Sequence, residues 1–115
     1  LKMAVCSNKP HVAAQKVVKA IYGDLFDEVM GQQEGIRRKP APDGPLKIAE
    51  DFGVKPEECM AFGDNYNDLE MLEAVGCGVL MGNAPSELQK HFSFVTKSND
   101  QDGIFQAFKE LGVLN

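Results

Sequence analysis

The hexapeptide Gly63-Asp64-Asn65-Tyr66-Asn67-Asp68 places two carboxylates four residues apart, where an apolar run stops and a helical pattern starts. That spacing sets Asp64 and Asp68 on one side of a first helical turn. Hard oxygen donors at such a place suit Mg2+, which takes one or two carboxylates and keeps waters in the rest of its shell. Asn67 offers a further oxygen. Helix capping is the competing explanation, because Asp and Asn satisfy the free N–H groups and the dipole of a helix start. Capping uses one such side chain and this hexapeptide holds four, so metal binding is the stronger reading.

Two other segments carry weaker signals. In Val5-Cys6-Ser7-Asn8-Lys9, a hydroxyl beside the free N–H groups of a helix start could hold a phosphate. An ordinary Ser or Asn cap explains the same residues. In Arg37-Arg38-Lys39-Pro40-Ala41-Pro42-Asp43, rigid prolines could aim Lys39 inward as a point charge. A solvated basic turn explains that segment better when it is taken alone. His11 and His91 have no partner at ligand spacing and read as surface residues. Asn83 and Ser98-Asn99-Asp100 read as helix caps. Cys6, Cys59 and Cys77 form no CxxC pair and sit in apolar runs, where a free Cys behaves as a small hydrophobe. Reduced thiols and no recognisable signal peptide lead to the expectation of a cytoplasmic protein.

Short β-rich runs and helical segments alternate around these residues. The runs are 2–6, 26–30, 58–62, 77–81 and 92–96. Ala14, Val17, Val18 and Ile21 predict one apolar face on a helix over 10–21. Asp43 offers an N-cap and Pro45 an early position to a helix that Gly53 ends. Leu69, Met71, Leu72 and Val75 mark a third helix, and residues 86–91 a short fourth. Ile104, Phe105, Phe108 and Leu111 predict the inner face of a last helix over 100–111. Such alternation predicts an α/β domain, a parallel sheet with helices packed on its faces. Ligands bind such sheets at the carboxyl ends of the strands. Ser7-Asn8, Gly63-Asp64 and Gly82-Asn83 all fall there.

Composition narrows the classes. A chain of 115 residues is one domain's worth. Hydrophobic residues at 43% and charged residues at 25% exclude a disordered or fibrous chain. No apolar run reaches the roughly 18 to 20 residues that cross a bilayer. A net charge of −5 argues against nucleic acid as a partner.

A hydroxyl at one strand end, then a Pro-flanked Lys, then a paired-Asp strand end: in that order the three segments resemble the haloacid dehalogenase superfamily of phosphohydrolases. SNKP and RRKPAPD resemble phosphoglycolate phosphatase relatives. GDNYNDLEML, GVLMGNA and VTKSNDQDG resemble the Cof-type sugar-phosphate phosphatases. The resemblance implies a Rossmann-like, three-layer α/β/α core and Mg2+-dependent hydrolysis of a small phosphorylated metabolite. It implies that Ser7 and the Asn8 N–H bind a phosphoryl oxygen and that Lys39 neutralises charge there. It implies that Asp64 coordinates Mg2+, and that Asp68, with Asn67, orients Lys39 or joins the metal site.

The superfamily's first motif, DxDx[TV], supplies its Asp nucleophile and general acid on a central strand. The only DxD here is Asp100-Gln101-Asp102, which follows no apolar run in the required order. Residues 1–115 therefore read as a partial core domain without its first strand and cap, and without turnover on its own. The opening at Leu1 fits a start partway through a longer protein. A sheet without that strand has a slot between the Ser7 and Asp64 strands. The slot closes by repacking, takes a strand from another chain or dimer partner, or is filled by a longer parent. A non-catalytic module binding Mg2+ or phosphate, or serving as an interaction domain, is the alternative function. A flavodoxin-like response regulator is a poorer match, since Ser7-Asn8 stands where its acidic residues would be.

Overall fold

The computed structural model describes residues 2–37, 39, 41–92, 94–98 and 101–111. In chain order these form β1 (Ala4–Pro10), α1 (His11–Tyr22), β2 (Glu28–Gln32) and α2 (Asp43–Phe52), then β3 (Met60–Gly63), α3 (Leu69–Ala74), β4 (Cys77–Leu80), α4 (Ser86–Gln89) and α5 (Gly103–Glu110). Single 3-10 turns at Pro56–Glu58 and Tyr66–Asp68 lead into β3 and α3. The α/β alternation expected from the sequence is present, and both strand pairs are parallel. No helix among the described residues is long and apolar enough to cross a membrane.

The sheet comes in two pieces. β1 pairs with β2, and β3 pairs with β4; no ladder among the described residues joins β1 to β3. Of the outcomes expected for the slot, closure by repacking is thus not what the structure adopts. Val95 adds one parallel bridge to Leu80 beyond β4. The expected strand over 92–96 is reduced to that bridge, and Ser93 lies outside the described residues.

Each piece is covered by its own helices. Ala14 and Val18 of α1 and Ile48 and Ala49 of α2 are buried with Met30 of β2. Met71 and Leu72 of α3, Leu80, Ala84 and Leu88 form a continuous core beside the second pair, with Ala61, Leu69, Phe92 and Val95 packed on it.

Several local expectations need correction. β1 does not stop at Ser7-Asn8: its register with β2 runs from Ala4 to Cys6, breaks, and resumes at Pro10. Residues 7–9 thus leave the ladder while the strand continues, as residues of a bulge do. β2 likewise passes through Gly31 to Gln32. A Cβ at Gly31 would stand 2.6 Å from the His11 Cα, so the strand requires glycine where α1 begins. His11 is half-buried and not a surface residue, because its Nδ1 accepts the Gly31 N–H at 3.1 Å. Val17 and Ile21 of the predicted α1 face are exposed, since nothing among the described residues covers that end of the helix. On α5, Gly103 and Ala107 are the buried residues, and Phe108 packs edge-on against Phe62. Ile104, Phe105 and Leu111 point away. That apolar arc is wider than the surface that meets it. Pro42, and not Asp43, precedes the first turn of α2. The expected caps at Asn99 and Asp100 lie outside the described residues.

Candidate active site

At the break in the β1 ladder, Ser7 Oγ accepts the Lys9 N–H at 3.1 Å. The hydroxyl proton of Ser7 remains available to donate. The Asn8 carboxamide takes hold of Lys39: Oδ1 accepts the Lys39 N–H at 2.9 Å and Nδ2 donates to the Lys39 carbonyl at 3.2 Å. The loop carrying Lys39 is closed at its base by a second clasp. Arg37 donates to Asp43 Oδ2 from its backbone N–H at 3.2 Å and from Nε at 3.0 Å, and to Oδ1 from Nη2 at 2.9 Å. These bonds hold the Asp43 carboxyl below its ordinary pKa.

The end of β3 supplies the other side. Asp68 closes the Tyr66–Asp68 turn with 6% of its surface exposed. It folds back onto Gly63, where an added Cβ would stand 2.5 Å from the Asp68 Cβ. Asp68 Oδ2 accepts the Asp64 N–H at 3.1 Å. Asp68 Oδ1 accepts from Lys39 Nζ at 2.8 Å, and the Lys39 side chain is only 14% exposed. A buried carboxylate needs such a cation and donor to remain charged. Asp64 itself is exposed, and its Oδ2 accepts from Asn83 Nδ2 at 3.1 Å. The Asn83 loop is secured by Gln89 Nε2, which donates to the carbonyls of Gly82 at 3.3 Å and Ala84 at 2.9 Å. Asn8, Lys39, Asp68, Asp64 and Asn83 therefore form one polar chain that crosses the gap between the two sheets.

A cavity of about 10 Å3 lies among Cys6, Ser7, Asn8, Gly44 and Lys39, room for about one water. Burial pushes the Cys6 thiol above its ordinary pKa; Lys39 opposes that shift and Asp68 reinforces it. Burial thus disfavours the Cys6 thiolate, the nucleophilic form.

The donor set decides how a metal fits. Both oxygens of Asp68 are engaged inward, by Lys39 Nζ and the Asp64 N–H. Asp68 thus faces Lys39, while Asp64 is exposed beside Asn83. Four-residue spacing suggests an α-helical turn, whereas the intervening residues form a 3-10 turn that turns Asp68 inward. Asn67 is half-buried in that turn and bonds neither Lys39 nor Asp68. Among the described residues no three His, Cys, Asp or Glu side chains cluster for a metal. Exposed Asp64 fits Mg2+, which is commonly held by one or two carboxylates plus waters and substrate phosphate.

The sequence placed Ser7, Asn8, Lys39, Asp64 and Asp68 at strand ends or a rigid turn, and the structure brings them together. Sequence reasoning missed the side chains of Asn8 and Asn83. Asn83 stood at a strand end, which was its one visible signal. The partner of Asn8 is 31 residues away, so no local pattern reveals it.

Residues 43–108 match the sequence profile of haloacid dehalogenase-like hydrolases. The chain belongs to that family. A provisionally named phosphatase of Haemophilus influenzae is 47% identical to this haloacid dehalogenase-like hydrolase over 77 residues, 65% of this chain and 29% of the relative. A solved structure from Lactobacillus delbrueckii subsp. bulgaricus, provisionally named a phosphoglycolate phosphatase, superposes with a TM-score of 0.76. It is 30% identical, and the match covers 87% of this chain and 44% of that one. The phosphatase BT1666 of Bacteroides thetaiotaomicron is 42% identical with a TM-score of 0.60, over 64% of this chain and 27% of its own. This family member thus spans less than half the length of each of these three proteins.

Proposed function

We propose that these residues are the C-terminal part of a Mg2+-dependent phosphatase core that hydrolyses a small phosphate monoester, of the phosphoglycolate or sugar-phosphate kind. The observation that carries this reading is the Lys39–Asp68 ion pair, 2.8 Å long, set between the Ser7 bulge and exposed Asp64. The Ser7 hydroxyl and the Asn8 N–H donate to phosphoryl oxygens. Asp68 keeps the Lys39 ammonium pointed at the same place. Asp64 would hold Mg2+, which supplies positive charge to the phosphoryl oxygens when bound. Fixed charges and donors aimed at a transferring phosphoryl group are what this chemistry needs from a protein. They also let a chain of net charge −5 bind an anion.

The 115 residues contain no DxDx[TV] motif, so they bind phosphate without forming a covalent intermediate. The absence of a ladder between the two strand pairs among the described residues supports a strand supplied from outside these residues, by a longer parent, another chain or a dimer partner. The three free cysteines support a reducing, cytoplasmic setting.

The test is an NMR titration with inorganic phosphate, with and without Mg2+. Shift changes should gather at Ser7, Asn8, Lys39 and, with Mg2+, Asp64. Changes that avoid these residues, or a Mg2+ effect that survives Asp64→Asn, contradict the reading.

A further inference from the structure

The mechanism above uses the backbone N–H of Asn8 and leaves its side chain unassigned. That side chain spends a donor and an acceptor on one distant residue, accepting from the Lys39 N–H at 2.9 Å and donating to the Lys39 carbonyl at 3.2 Å. A carboxamide facing a peptide in this way reproduces the two bonds that a neighbouring strand would exchange with one residue. Strand pairing cannot do this here, because β2 ends at Gln32 and α2 begins at Asp43. We infer that Asn8 is a positioning residue, which fixes the backbone of Lys39 and thereby sets where its ammonium meets Asp68 and a phosphoryl group.

The long Lys side chain makes such a fixture necessary. A lysine carries four rotatable carbons, and holding its tip does not hold its root. Asp68 fixes the tip at 2.8 Å. The Arg37–Asp43 clasp closes the loop two residues before and four residues after Lys39, and leaves the peptide at Lys39 itself to Asn8. If the root were loose, ion-pair formation would also have to order the loop, and the entropy lost would weaken the pair. Asn suits the position: Ala has no bond to offer, and Asp keeps the acceptor for the Lys39 N–H but loses the donor to its carbonyl. The inference rests on the phosphate-binding role proposed for Lys39.

The experiment measures hydrogen exchange of the Lys39 amide and the affinity for inorganic phosphate, in the whole chain, for the wild type, Asn8→Ala, Asn8→Asp and Lys39→Ala. Asn8→Ala should speed Lys39 exchange and weaken phosphate binding, each by about tenfold, the scale of one or two lost hydrogen bonds. Asn8→Asp should keep Lys39 exchange slow, which shows that the acceptor and not the fold at large protects that amide. Unchanged exchange in Asn8→Ala overturns the inference. So does exchange in Asn8→Asp as fast as in Asn8→Ala, or full phosphate affinity once exchange is fast. If Lys39→Ala abolishes phosphate binding while Asn8→Ala leaves it intact, only the role of Asn8 falls. If Lys39→Ala leaves it intact, the phosphate site falls and this inference with it.

Discussion

The β3–β4 sheet is closed over by its own neighbours, whereas the β1–β2 sheet has the same number of strands and much less cover. Leu80 in β4 is 0% exposed, while Ile21 at the end of α1 is 65% exposed. Val12, Tyr22 and Leu25 are exposed alongside Ile21. Apolar residues of the two regions line one open cleft. Tyr22 and Leu25 from the first face Met81, Ile104, Phe105 and Phe108 from the second across a cleft of about 680 Å3. The shortage of apolar cover is therefore shared by the two half-sheets, which no ladder joins among the described residues. Polar chemistry crosses where apolar packing does not: the Lys39–Asp68 pair ties one half to the other. The candidate site is thus also a structural bridge.

This contrast can be broken. Leu80→Ala should lower unfolding stability by about 2–5 kcal/mol, the range for a fully buried leucine in a packed core. A loss well below that, measured by denaturant unfolding, would mean that the second core is as loose as the first. Lys39→Ala should lower stability on the order of 2 kcal/mol, because it leaves the buried Asp68 carboxylate without its cation. It should also make the two halves unfold in separate transitions, readable as non-coincident NMR and circular-dichroism curves. Coincident curves would show that the bridge is dispensable.

Glu28 stands at the start of β2. Its Oε2 is buried and without a hydrogen-bond partner among the described residues. Burial first, and the Asp51 carboxyl second, raise its pKa above the ordinary 4.5. A raised folded-state pKa stabilises below the unfolded value and loses that contribution as pH climbs through the folded value. Glu28→Gln should therefore raise the thermal midpoint at pH 7, and the gain should shrink toward pH 4. A gain that grows on acidification would reverse the sign. Smallest of all, Ile21→Ser should change stability by no more than about 0.5 kcal/mol, as for an exposed site. A large loss would mean that Ile21 is covered after all.

The parts of this molecule visible in the sequence are those written in local patterns. Parallel strands and their helices follow from alternating runs, and Gly63-Asp64 is marked as a site by its position at a strand end. What stayed hidden depends on contacts between distant residues. The exposure of Val17 and Ile21 cannot be read from helical periodicity, which says which residues share a face and not what covers it. The inward turn of Asp68 depends on a 3-10 turn where four-residue spacing suggests an α-helical one. The grip of Asn8 on Lys39 depends on a loop closed by Arg37 and Asp43. The split of the sheet was legible only through the missing DxDx[TV] motif, by resemblance and not by pattern.

The central proposal is that this site is part of a phosphatase site, completed by a nucleophile strand from outside these residues. It is tested most directly by aryl phosphate hydrolysis with Mg2+, comparing the 115-residue chain with the same chain joined to an upstream DxDx[TV] strand. The account predicts no turnover by the chain alone, turnover by the joined form, and loss of that turnover in Asp64→Asn. Hydrolysis by the chain alone, or Asp64→Asn activity equal to that of the joined form, would contradict it.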